Sequence, residues 1–317
     1  MNPSSKKQII SIIVPVLNEE DNIPNCYGAL SKIADELSSY DFEFIFNDNC
    51  SVDESYQLLE QLAKQDKRLV AYRFSRNFGF QKSIYAGLMK AKGEAAIVFD
   101  CDLQDPPELL IEFVKKWEEG AKVVYGIRKK REESRWLEWC RKIFYRFINT
   151  LSEDHLPPDA GDFRLIDRCI LEQLKQVDDY RPYLRGLIAG FGFKQVGIPY
   201  ERKERAYGKS KFNLRKLFEL AVDGVISQSV APLRFATYTG LVISFITFVG
   251  ICVYAVKHFF FKAQWPAGFA TTTMLILFSL SLNALFLGII GEYIARIYHQ
   301  VRKRPLVIFD KSTDNLG

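Results

Sequence analysis

Two long stretches in the C-terminal third, Phe235–Val256 and Ala263–Gly291, carry no charged side chain. At a helical rise of about 1.5 Å per residue, each can cross the roughly 30 Å hydrocarbon layer of a bilayer. Uncharged runs of this length are seldom core helices of a soluble protein, so they predict a membrane hairpin. Lys257, His258 and Lys262 are the only basic residues between the runs, whereas Arg202–Arg234 and Arg296–Arg304 are rich in Lys and Arg. The positive-inside rule therefore places both flanks in the cytoplasm and the short turn outside. The two apolar runs have no internal charge, which points to an anchor rather than a transport path.

Before the hairpin the pattern is that of a globular domain. With 48% hydrophobic and 26% charged residues over 317 positions and a net charge of +5, the chain is neither disordered nor collagen-like. Its six cysteines form no CxxC or other metal-ligand spacing, so a reducing compartment is expected. The N-terminal segment Met1–Glu20 has two lysines before a short apolar run, as a signal peptide would. Pro15 interrupts that run and Asn18-Glu19-Glu20 ends it, which reads as a first β-strand.

Apolar, β-branched runs at Ile9–Val16, Phe42–Phe46, Leu69–Phe74, Ala95–Phe99 and Lys122–Tyr125 predict strands. Helical spacing at Asn22–Ser38, Asp53–Lys67, Phe78–Lys92 and Pro106–Glu119 fills the intervals. This alternation predicts a mostly parallel sheet covered on both faces, with ligands at the carboxyl ends of its strands. Pro15–Glu19, Asp48–Asp53, Ser75–Gly79 and Asp100–Gln104 should then converge. Asn213–Gln228 and Arg135–Leu151 have amphipathic spacing suited to interfacial helices, although packing on the domain would produce the same pattern. The expected organisation is an α/β domain over 1–212, a juxtamembrane helix over 213–232, membrane helices within 233–298 (about 235–257 and 266–291) and a cytoplasmic tail, 299–317.

Asp100-Cys101-Asp102 follows an apolar strand, so two carboxylates leave its end on the same side. Burying both without a cation would be costly, and a hard divalent ion whose other positions are taken by phosphate oxygens resolves that. Gln104 adds a neutral oxygen nearby. An isolated D-x-D more often belongs to a solvated loop; here the strand before it and Leu103–Glu108 after it favour metal.

Ile13–Glu20, Asn47–Asp53, Ser75–Gly79 and Asp100–Glu108 resemble family 2 glycosyltransferases of GT-A fold, a Rossmann-like α/β architecture. Val124–Arg128, Asp159–Leu165 and Gly208–Lys211 are similar to the branch that glycosylates polyprenyl phosphates, which includes dolichyl-phosphate mannose synthase and bactoprenol glucosyltransferases of GtrB type. The hairpin ending in Gly291-Glu292-Tyr293 favours the latter. The resemblance implies an enzyme of the bacterial-type cytoplasmic membrane, with catalytic domain and both termini inside. It would move a hexose, glucose from UDP-glucose first, onto a polyprenyl phosphate with Mg2+ or Mn2+. GDP-mannose and a UDP-aminopentose are the alternative donors.

By the same resemblance, Pro15, Leu17, Glu19 and Asp48 contact the nucleotide, Asp48 the uracil. Asp100 and Asp102 lie at the sugar and the metal-bound diphosphate, with Asp102, Gln104 and Asp100 as metal contacts. Asp159 and Asp162 are the candidates for a catalytic base. Many relatives have Asp-Gly where this chain has Asn49-Cys50, and Glu19 and Asp48 could equally serve as caps or turn formers. Arg128, Arg205, Lys209 and Lys211 suit a cradle for the acceptor phosphate and the departing nucleotide, or a face toward anionic lipid. A phosphate acceptor has a second pKa of about 6 and is already mostly a dianion at neutral pH. Asp159 and Asp162 should therefore position groups rather than remove an essential proton.

A processive polysaccharide synthase would show Q-x-x-R-W, yet Glu132 precedes Arg135-Trp136 at that spacing. No G-x-G-x-x-G follows the first strand, which disfavours a nicotinamide enzyme. A non-enzymatic membrane module would not need the strand-end acids together with a phosphate-binding cluster. Nucleic acid is not an expected partner; self-association is left open.

Overall fold

The computed structural model describes residues 7–128, 160–180, 182–202 and 268–314, with parts of 233–256. Five strands lie close to where the apolar runs predict them: β1 (Ile9–Val16), β2 (Asp41–Asp48), β3 (Leu69–Phe74), β4 (Ala95–Val98) and β5 (Val123–Arg128). Between them run α1 (Ile23–Glu36), α2 (Ser55–Gln65), α3 (Phe80–Lys90) and α4 (Leu109–Glu118). β6 (Ala160–Asp167), α5 (Arg168–Gln176), α6 (Leu184–Gly190) and β7 (Gln195–Tyr200) follow.

The eight-stranded sheet has the order β7-β5-β6-β4-β1-β2-β3-β8, where β8 is Phe309–Ser312. β4, β1, β2 and β3 pair in parallel, as do β5 and β7. β6 runs antiparallel between β4 and β5, and β8 antiparallel along β3. Side-chain alternation builds a core on each face. Ile10, Ile12, Val14, Phe44 and Phe46 pack toward Leu30, Leu59 and Phe113 of α1, α2 and α4. Ile13, Ile45, Val98 and Ile166 pack toward Ile84, Leu88, Ile170 and Leu174 of α3 and α5.

The expected tail contains a structural element. Ser75 N donates to the Ile308 carbonyl at 2.9 Å, Thr313 N to that of Ala71 at 3.0 Å, and Phe309 rests on Tyr72 and Phe74. Only four residues long and with no buried residue, β8 gives little periodic signal to read.

α7 (Phe269–Val301) belongs to a second unit. Its 33 residues span about 50 Å, and Phe278–Val301 is long and apolar enough to cross a membrane. Leu275, Ile276, Phe278, Leu280 and Leu287 are each more than 60% exposed, the opposite of a soluble core helix. The helix runs past the expected end at Gly291, through Glu292 and Arg296, to Val301. Of the first expected span, residues 235–243 are helical; the turn between the spans and both expected amphipathic helices lie outside the described residues.

Candidate active site at the carboxyl edge of the sheet

Because β6 is reversed, its first residues lie at the same edge of the sheet as the last residues of β1, β2, β4, β5 and β7. That geometry gathers Leu17 and Glu19, Asp48, Asp100 and Asp102, Arg128, Asp162 and Tyr200 from six separate strand ends. Three of the four patches expected from the sequence lie at these ends, and the fourth, Ser75–Gly79, follows β3, whose parallel pairing with β2 puts it at the same edge.

The end formed by β1 and β2 is knit by short polar side chains. Asn18 N donates to Ser51 Oγ at 2.9 Å, Glu19 N to Ser55 Oγ at 2.9 Å, and Val52 N to Asn18 Oδ1 at 2.9 Å. Asp48, fully buried, accepts from Ser51 N at 3.0 Å, with Arg73 Nε 3.6 Å from its other oxygen. Burial pushes its carboxyl above the ordinary value, against the Ser51 hydrogen bonds and the Arg73 charge. Glu19 accepts from Asn22 Nδ2 at 2.6 Å. Both acids therefore hold local turns. Pro15 is buried within β1, whereas Leu17 is 41% exposed.

Asn49 Oδ1 accepts from Phe78 N at 2.9 Å and ties this end to the loop before α3. An amide oxygen serves as well as a carboxylate there, which accounts for one departure from the family pattern. The other costs more: Cys50 takes φ +63°, a left-handed conformation natural to glycine.

At the end of β4, Asp100 and Asp102 are partly buried and Asp102 Oδ1 accepts from Gln104 N at 3.2 Å. Burial, with the charges of Asp105, Asp102 and Asp162, pushes the Asp100 carboxyl up to about 7 against the charge of Arg202. The carboxylates crowded around Asp100 repel one another, and a cation beside them would relieve that repulsion. Among the described residues no three His, Cys, Asp or Glu side chains form a closed cage. The donors Asp100, Asp102 and Gln104 fit a hard ion that takes its remaining oxygens from a substrate phosphate.

Asp105 follows, with no exposed surface. Tyr200 Oη donates to its Oδ1 at 2.5 Å, Arg202 Nε lies 3.2 Å from the same oxygen, and Arg128 Nη2 lies 3.8 Å from Oδ2. Arg128 Nε donates to Tyr200 Oη at 3.2 Å, and Arg202 Nη2 stands 3.9 Å from Asp100 Oδ2. Gly126 makes room for this arrangement, since a Cβ there would meet the Tyr200 ring at 2.5 Å.

Asp162 is held from two sides. Arg185 of α6 donates from Nε to Oδ1 at 2.9 Å and from Nη2 to Oδ2 at 2.8 Å, and Gln81 of α3 donates to Oδ2 at 3.1 Å. Burial raises this carboxyl, but Arg185, Arg164 and Gln81 outweigh it and leave it below the ordinary range. A carboxylate so engaged is a poor proton acceptor.

Asp159, Arg205, Lys209 and Lys211 lie outside the described residues. Asp105, Tyr200, Arg202, Arg185 and Gln81 were not among the expected site residues. Asp105 stands in the conspicuous Asp100–Glu108 run and Arg202 in the basic run that follows β7, but neither pattern ranks one member above its neighbours. Arg185 and Gln81 carry no local signal. The four described cysteines are free.

The model of the family described as "Glycosyl transferase family 2" matches residues 11–175. An uncharacterized glycosyltransferase, YkcC, of Bacillus subtilis is 38% identical over 303 residues, 95% of this chain and 93% of its own length. The prophage bactoprenol glucosyl transferase homolog of Escherichia coli K12 is 35% identical over 303 residues, 95% of this chain and 98% of its own. Among solved structures, the mannosyltransferase PcManGT from Pyrobaculum calidifontis, in complex with GDP-Man and Mn2+, is 15% identical with a TM-score of 0.48, covering 94% of this chain and 87% of that one. By the family match and by identity over nearly the whole of both chains, this protein belongs to glycosyl transferase family 2, and its mostly parallel sheet is the GT-A-like fold.

Proposed function

We propose that the chain is an inverting glycosyltransferase that moves glucose from UDP-glucose onto a membrane polyprenyl phosphate, releasing UDP. The observation that carries this reading is the meeting of the β4 acids with Arg128 and Arg202 at one edge of the sheet. Relatives named bactoprenol glucosyl transferase, 34–35% identical over more than 90% of both chains, support the choice of sugar and acceptor.

The acceptor supplies its own nucleophile. A phosphate oxygen forms a bond to the anomeric carbon as the bond from that carbon to the diphosphate breaks, and UDP leaves with the electron pair. Attack from the opposite face inverts the anomeric centre and gives a β-linked lipid phosphate sugar. Arg128, with Arg205, Lys209 and Lys211, would cradle the phosphates through charge-assisted hydrogen bonds. Asp102, Gln104 and Asp100 would hold Mg2+ or Mn2+, which supplies charge neutralisation on the diphosphate. Pro15, Leu17, Glu19 and Asp48 would bound the nucleotide, and Asp159 and Asp162 would position groups. The uncharged runs would anchor the chain as a hairpin with both ends in the cytoplasm, where UDP-glucose is available.

The test incubates the detergent-solubilised full chain with radiolabelled UDP-glucose, GDP-mannose or a UDP-aminopentose, polyprenyl phosphate and Mg2+ or Mn2+. Label from UDP-glucose should pass into the lipid phase. Label from another donor alone would replace the sugar, and no lipid label from any donor would remove the proposal.

A further inference from the structure

Asp105 is a carboxylate with no exposed surface, and its Oδ2 has no hydrogen-bond donor. A buried acid in this state is costly unless it serves an arrangement that needs its charge. One hydrogen bond reaches it, from the Tyr200 hydroxyl at 2.5 Å, while Arg202 Nε at 3.2 Å and Arg128 Nη2 at 3.8 Å stand beside it as ion-pair partners without a hydrogen bond. Both arginine side chains remain partly open to solvent, 38% for Arg128 and 29% for Arg202, while Asp105 itself is sealed. Arg202 also reaches to 3.9 Å from Asp100 Oδ2. The negative charge thus lies beneath and the two cations face outward beside the acidic strand end.

We propose that Asp105, braced by Tyr200, is a positioning residue that holds Arg128 and Arg202 as a paired phosphate-binding fork, with Arg202 a further contact for the donor diphosphate. The inference rests on the phosphate-handling part of the function proposed above. A guanidinium has five donors in one plane, so drawing one edge toward a buried carboxylate by charge leaves the opposite edge to face phosphate oxygens. Arg202 enters from the residues after β7, Arg128 from the end of β5 and Asp105 from the loop after β4. Asp105 is the group that both arginines approach.

The experiment compares the unaltered full chain with Asp105→Asn, Tyr200→Phe, Arg202→Gln and Arg202→Lys. Binding of inorganic pyrophosphate in the presence of Mn2+ is measured by calorimetry, and glucose transfer by kcat and KM for each substrate. Arg202→Gln should lower kcat/KM for the donor by about 10²-fold, the usual scale for loss of one donor aimed at developing charge. Arg202→Lys should recover part of that loss. Asp105→Asn should weaken pyrophosphate about tenfold with KM for the lipid chain little changed, and Tyr200→Phe should do the same to a smaller degree in a folded protein. Combining Asp105→Asn with Arg202→Gln should cost less than the product of the single losses, because one acts through the other. Multiplicative losses, or unchanged pyrophosphate affinity in folded Tyr200→Phe and Arg202→Gln, would overturn the proposal. Pyrophosphate binding needs neither sugar nor lipid, so failure of the unaltered chain to transfer glucose would count against the function proposed above and not against the fork.

Discussion

Replacing Asp162 by Asn separates two accounts of how the acceptor becomes a nucleophile. If Asp162 were a general base, its loss would remove a contribution of about 10²–10⁴ in rate. A phosphate monoester with a second pKa of about 6 is more than about 95% dianionic at pH 7.5, so little proton transfer remains to be catalysed. The structure adds that both carboxylate oxygens are occupied by Arg185 at 2.9 and 2.8 Å and by Gln81 at 3.1 Å. An asparagine at this position would keep one acceptor oxygen and lose the ion pair. Breaking a buried pair costs about 3–5 kcal/mol, but Arg185 is 38% exposed and solvent screens the loss to about 1–3 kcal/mol. The expected result is therefore a measurable fall in denaturation midpoint with kcat within about tenfold of the unaltered chain. Asp102→Asn, at a candidate ion site, should lose about 10²–10³. Transfer is followed into the lipid phase from pH 5.5 to 9 at saturating donor and acceptor. The acid limb of kcat should fall near the phosphate pKa in both the unaltered chain and Asp162→Asn. A loss of about 10²-fold or more in a folded Asp162→Asn, comparable with that of Asp102→Asn, would refute the reasoning.

Further expectations concern the frame around the site. Asp167 caps α5 by accepting from Cys169 N at 2.9 Å, and also takes Lys122 Nζ at 2.9 Å and Trp117 Nε1 at 2.7 Å. Burial raises its carboxyl, but these bonds win and lower it to about 2 from its ordinary 3.8. A depressed carboxyl stabilises above its unfolded value, so about 1–2 kcal/mol should be lost as pH falls from about 4 to 2, and Asp167→Asn should remove that dependence in denaturant titrations. Gly126→Ala should displace the Tyr200 ring and lower kcat by about tenfold or more, with a smaller change in thermal midpoint. Cys50→Gly should raise stability by up to about 1 kcal/mol, measured by chemical denaturation, because it relieves the left-handed φ of +63°. Truncation after Lys303 removes β8 and bares the β3 edge with Tyr72 and Phe74, so light scattering should report aggregation in detergent that the full chain does not show.

What could be read from the sequence follows the range over which each signal acts. β1 to β5 and α1 to α4 lie near their expected positions because each repeats a period, two or 3.6 residues, within a short window. The acidic end of β4 was legible for the same reason: an apolar strand running into Asp100-Cys101-Asp102 needs no distant partner to be noticed. β6 belongs to another class. Its place between β4 and β5 depends on pairing Ala95 with Asp167 and Val123 with Ile166, contacts between segments far apart in the chain that no local pattern encodes.

That one reversed strand has a direct consequence for the chemistry. It brings Asp162 to the same edge as Asp100, and α6 then supplies Arg185 to occupy the carboxylate. Had β6 run parallel to β4, its first residues would lie at the opposite edge, and an Asp in that motif could not face the site. Asp162 thus owes its position to strand direction and its ionised state to a residue 23 positions further along the chain. The same holds for Asp105, whose charge acquires meaning only when β5 and β7 bring Arg128 and Tyr200 to it. Residues whose role is to orient other residues are invisible until the partners meet. Mutational tests at Arg185 and Tyr200 therefore probe the fold's contribution to the chemistry more directly than substitutions within the acidic motif.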